Sequence, residues 1–113
     1  MAALVDKLRA QRTHQADVLP DRWIKFLRPT AAQMPALRGG FDVALVARQC
    51  VDWNLTEADL LGPAVGSSDP APFSADAALE VLSDRPEFAE AVTTKLVEVI
   101  SAWFEKRGEI AKN

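Results

Sequence analysis

The stretch Phe41-Asp42-Val43-Ala44-Leu45-Val46-Ala47-Arg48-Gln49-Cys50-Val51-Asp52-Trp53 holds neither proline nor glycine, and Val43, Val46, Ala47, Cys50 and Val51 recur at helical spacing. It reads as one helix, the first core element, with Asp42 near its start favoured by the helix dipole. With that helix in place the chain is mainly α. The expected fold is one small helical domain, residues 1–113, of four to five helices with a short extended or strand segment near residues 22–28.

Downstream, Thr56-Glu57-Ala58-Asp59 sets an acidic residue three positions after a capping threonine, which predicts a short helical turn through Leu61 until Gly62-Pro63 ends it. Residues 62–72 are almost entirely turn formers and read as a flexible loop. Ser74 caps the next predicted helix, Ala75 to Leu82, whose Ala78, Leu79 and Leu82 face inward. Asp84-Arg85-Pro86-Glu87 then combines a capping aspartate, an early proline and an acid three positions on. From there Phe88, Val92, Leu96, Val99 and Trp103 follow steps of three and four, with Ala91, Ile100 and Phe104 widening the stripe. Gly108 is the predicted stop, with 108–113 a polar tail.

Upstream, Leu4, Val5 and Leu8 make a short amphipathic helix whose other faces carry Asp6, Lys7, Arg9 and Arg12, so residues 1–16 read as a peripheral helical segment. Val18-Leu19-Pro20-Asp21 is a turn. In Arg22-Trp23-Ile24-Lys25-Phe26-Leu27-Arg28, Ile24 and Phe26 alternate with charged neighbours until Pro29, the pattern of a strand. Thr30 caps at most a helical turn before Pro35 and Gly39-Gly40 keep the region irregular.

The predicted last helix spans about 20 residues, roughly 30 Å, long for a chain of 113 residues. Its apolar face exceeds what the other helices can cover. Trp53, Phe73, Phe88, Val92, Leu96, Val99, Trp103 and Phe104 are therefore the candidate protein-interaction residues, with Trp103 and Phe104 foremost.

Reactive chemistry has little to draw on. A triad or metal site needs histidine, cysteine and carboxylates together, and the chain has one histidine and one cysteine. His14, within Gln11-Arg12-Thr13-His14-Gln15, reads as a solvated surface residue and Cys50 as a small buried hydrophobe in a reducing compartment. No catalytic, cofactor-binding or metal residue is assigned, and an enzyme is not expected. The net charge of -3, from 13 basic and 16 acidic residues without long runs, argues against nucleic acid as the main partner. Charged residues interrupt every apolar run well short of a membrane span or signal peptide.

Val51-Asp52-Trp53-Asn54-Leu55, the Gly/Pro/Ser loop, and Pro72-Phe73-Ser74 leading into Ala78-Leu79-Glu80-Val81-Leu82 resemble the tail assembly chaperones of long-tailed phages and prophages. In that family a helix ends in a tryptophan, a variable loop follows, and Pro-Phe-Ser opens a helix that precedes one more. The resemblance covers roughly residues 41–104, and Ile24 to Thr30 is similar to the extended segment upstream; residues 1–16 have no counterpart. It implies a non-catalytic protein of the host cytoplasm that coats the tape measure protein, recruits tail tube protein, often self-associates and often has a longer frameshifted form. The alternative is a small prophage transcriptional regulator, for which the predicted helix Phe41 to Trp53 supplies only Arg48 and Gln49 as base-reading side chains.

Overall fold

The computed structural model describes residues 3–37 and 40–112. The order is α1 (Leu4–Arg12), β1 (Thr13–Leu19), β2 (Arg22–Leu27), a 3₁₀ turn (Met34–Leu37), α2 (Val43–Gln49), β3 (Cys50–Trp53), α3 (Glu57–Leu61), α4 (Ala75–Asp84) and α5 (Pro86–Lys112). The strands form an antiparallel sheet in the order β1-β2-β3. The domain is thus mixed α/β, which corrects the expected mainly helical class.

Two segments account for the difference. The helix expected to run to Trp53 stops at Gln49, where Cys50 turns to extended backbone, and Cys50 pairs with Phe26 while Trp53 pairs with Ile24. An apolar run this short fits helix and strand alike, and only its distant partner, β2, decides between them. Val51, placed inward by the helical reading, is exposed. The second segment is Thr13–Leu19, expected as the end of the first helix and the turn after it. It is a strand because its pairing with β2 turns His14 and Ala16 to the same face as Phe26 and Ile24 and leaves Gln15 and Asp17 in solvent. With only a small alanine buried, this strand carries little apolar signal of its own.

His14, Ala16, Ile24, Phe26, Cys50 and Trp53 consequently line one face of the sheet. Against it the helices bury Val46, Ala47, Ala78, Leu82, Phe88, Val92 and Leu96, and Leu55 joins them from the segment after β3. Each large apolar side chain hidden this way contributes roughly 1.5–3 kcal/mol. Leu79, expected to face inward, is instead exposed on α4.

Local chemistry fixes the ends. Asp42 Oδ1 accepts from the Leu45 N–H at 2.8 Å, and Ser74 Oγ from the Ala77 N–H at 3.0 Å, so both caps are made by side chains. Thr56 and Asp59 form a full capping box, in which Asp59 also holds the Arg22 guanidinium at 2.7 Å and ties α3 to the start of β2. Burial alone would raise the Asp59 pKa, but hydrogen bonds from the Thr56 N–H and Arg22 outweigh it and hold the carboxyl below its ordinary range. Asp84, expected to cap the last helix, instead ends α4; Arg85 lies between the helices at φ -126° and ψ 84°, outside the helical region that a following proline disfavours.

Residues 62–72 are laced to their surroundings. Carbonyls of Asp69 and Ser67 accept from the first two N–H groups of α3, Glu57 at 3.0 Å and Ala58 at 2.8 Å, and the Ala71 N–H donates to Leu55 at 2.9 Å. These bonds satisfy donors that a helix start leaves open. Gly66 lies so close beneath α3 that a Cβ there would stand 2.4 Å from the Glu57 carbonyl oxygen.

Candidate protein-interaction surface

Helix α5 runs alongside β1 and outlasts it. Its 27 residues extend about 40 Å, whereas the seven residues of β1 reach about 23 Å. The helix continues through Gly108, which was expected to stop it. One glycine costs a helix only about 1 kcal/mol, and the neighbours Glu105, Lys106, Arg107, Glu109, Ala111 and Lys112 are good helix formers.

That overshoot divides the predicted interaction residues. Phe88, Val92 and Leu96 lie on the part of α5 that covers the sheet and are fully buried. Trp53 is 6% exposed; its Nε1–H donates to the Ala71 carbonyl at 2.8 Å, and its ring meets Phe73 edge-on with centroids 5.1 Å apart. These residues are taken up by the fold itself. Val99 and Trp103 are half-buried, and Phe104 is 54% exposed.

Sequence reasoning placed Leu4, Val5 and Leu8 on a peripheral helix without giving them a role, yet they are 70%, 54% and 50% exposed. Helix α1 buries none of its residues. Between it and the end of α5 lies a groove of about 860 Å³. Leu8, Gln11 and Arg12 line it from α1, and Val99, Ala102, Trp103, Lys106 and Arg107 from α5, with His14 and Arg28 at its base. The guanidinium carbons of Arg28 and Arg107 lie 4.5 and 4.8 Å from the centroid of the Trp103 ring. On the other flank of Trp103 a second groove of about 520 Å³ is lined by Met34, Pro35, Phe41, Ile100 and Phe104. Trp103, with Arg107, therefore forms the ridge between a basic groove and a mainly apolar one.

His14 is not the solvated residue expected. Its ring lies 6.0 Å from that of Phe26, and its pKa is lowered by burial first and then by the charges of Lys95 and Arg28. The unfolded chain then holds its imidazole proton more tightly than the folded one. Stability conferred by this group is complete above the ordinary histidine pKa of about 6.5 and declines as pH falls through that value toward the lowered one. As the chain has one histidine, His14→Gln is expected to flatten the slope of Tm between about pH 7 and 5, read by thermal denaturation.

Cys50 is on a strand, not the predicted helix, and is buried, with its thiol donating to the Val46 carbonyl at 3.4 Å. Burial pushes its pKa up to about 12. Because only the thiolate reacts, iodoacetamide is expected to label the native protein at a small fraction of the rate seen in 6 M guanidinium, by mass spectrometry. Among the described residues no group of three or more His, Cys, Asp or Glu side chains is placed to hold a metal ion, and no helix is long and apolar enough to cross a membrane.

Comparison with protein-family models, curated proteins and solved structures returns no match to this chain.

Proposed function

We propose that this protein is a non-catalytic tail assembly chaperone of a long-tailed phage or prophage, acting in the cytoplasm of the bacterial host. It holds the tape measure protein in solution, brings tail tube protein to it and associates with further copies of itself. The observation that carries the proposal is the surface where α1 and the end of α5 leave Leu4, Val5, Leu8 and Phe104 uncovered. Apolar side chains left exposed on two helices that border a shared groove mark a contact with another chain. The motif behind the resemblance also has a spatial rationale. Trp53 and Phe73, the aromatic residues on either side of the loop, meet edge-on, and Ser74 caps α4 directly after them.

Co-expression tests the proposal. With the product of the very long reading frame expected downstream, the protein should move that product into the soluble fraction, and Leu8→Asp with Phe104→Asp should abolish the effect. A tape measure protein equally insoluble with and without this chain would refute it. The chaperone reading is preferred to the regulator because the helix that would read DNA spans only Val43–Gln49, with Val46 and Ala47 buried.

A further inference from the structure

We infer that the groove between α1 and the end of α5 seats an acidic amphipathic helix of a partner protein. The inference deepens the proposed function and rests on it for the kind of partner, since it names the chemistry of the segment bound.

The shape comes from two helical stripes. Leu8, Gln11 and Arg12 on α1, and Val99, Ala102, Trp103 and Lys106 on α5, recur at helical spacing and face the same gap. A furrow lined by two helices can be filled by a third through the packing of ridges into grooves, and Ala102 leaves room for a larger side chain from the incoming helix. The walls are side chains of helices with their own backbone bonds made, so an incoming segment meets side-chain ridges there.

Charge selects the occupant. Arg12, Arg28, Lys106 and Arg107, four of the 13 basic residues of a chain whose net charge is -3, converge on this groove, and no carboxylate lines it among the described residues. The described ion pairs, Arg22 with Asp59 and Lys95 with Glu98, lie elsewhere. A helix with leucines toward Leu8, Val99 and Ala102 and glutamates along its flanks would satisfy both the floor and the rim. Nucleic acid fits less well. The ring of Trp103 already lies against Arg28 and Arg107, no second Trp or Phe among the described residues lines the groove to extend a stacking platform, and the floor of Leu8, Val99 and Ala102 is aliphatic.

The test uses synthetic helical peptides of about 18 residues, or roughly five turns, with one leucine stripe and flanks of glutamate, glutamine or lysine. A single-stranded oligouridine is the nucleic-acid probe. By titration calorimetry the glutamate peptide should bind at least about tenfold more tightly than the glutamine peptide, with the advantage shrinking as salt rises. Lys106→Glu with Arg107→Glu, both exposed positions, should erase the advantage while circular dichroism stays unchanged; Arg48→Glu on α2 should leave it intact. Equal affinity for the glutamate and glutamine peptides overturns the inference. So does an unaltered preference in the Lys106/Arg107 variant, or displacement of the glutamate peptide by oligouridine. Tape measure protein kept soluble by the Lys106/Arg107 variant would likewise overturn the groove assignment while leaving the chaperone proposal standing. Wild-type protein that prefers the glutamate peptide but fails to solubilise the tape measure protein would do the reverse.

Discussion

Replacement of Trp53 by alanine is expected to destabilise the protein by about 3–5 kcal/mol, a large share of the roughly 5–15 kcal/mol available to a domain of this kind. The indole does three things at once. It occupies the inner face of β3 opposite Ile24, packs edge-on against Phe73, and anchors the end of the 62–72 loop through the Ala71 carbonyl. Alanine leaves a cavity between the sheet and the start of α4 and an acceptor without its donor. Trp53→Phe keeps most of the apolar volume and removes the N–H, so its cost should be nearer 1 kcal/mol, about the net worth of one hydrogen bond. Urea titration of both variants separates the two contributions.

The second large effect is a contrast within α5. Phe88→Ala, at a position with no solvent exposure, should cost about 3–5 kcal/mol, whereas Phe104→Ser, four turns further along the same helix, should change stability by less than about 0.5 kcal/mol. Binding should show the opposite order. Phe104→Ser should fold normally and lose partner capture, while any loss in Phe88→Ala should follow its unfolding. Equal destabilisation by the two substitutions would mean that the end of α5 is sealed within the domain. Chemical denaturation beside a pull-down reads both quantities.

How much of this was legible in the chain depends on whether the deciding contact is local. The Thr56–Asp59 capping box, the Ser74 cap, the proline at the start of α5 and the buried pair Ile24 and Phe26 all depend on neighbours a few residues away, and each is found where sequence reasoning placed it. The sheet is not local. Cys50–Trp53 becomes a strand only because β2, more than twenty residues earlier, presents a partner, and Thr13–Leu19 becomes one despite burying little more than Ala16. The site divides in the same way. That α5 is long was readable from its stripe. Where the cover ends was not, because it is set by the length of β1, a strand the sequence concealed. The same omission hid His14, whose half-buried place beside Phe26 exists only within the sheet. The basic groove escaped notice because Arg12 and Arg28 are brought by the fold to Lys106 and Arg107, which lie far along the chain from both.

The chain's three tryptophans give the most direct test, since each indole N–H yields its own resonance. Trp103 is on the ridge between the two grooves, Trp53 is buried and hydrogen-bonded, and Trp23 lies on the outer face of the sheet beside Lys25. Titration of the protein with the soluble helical portion of the tape measure protein should shift or broaden the Trp103 signal at sub-stoichiometric ratios and leave those of Trp53 and Trp23 in place. Binding that leaves Trp103 unmoved, or that moves Trp23 in its stead, would contradict the assignment of the α1–α5 surface as the contact.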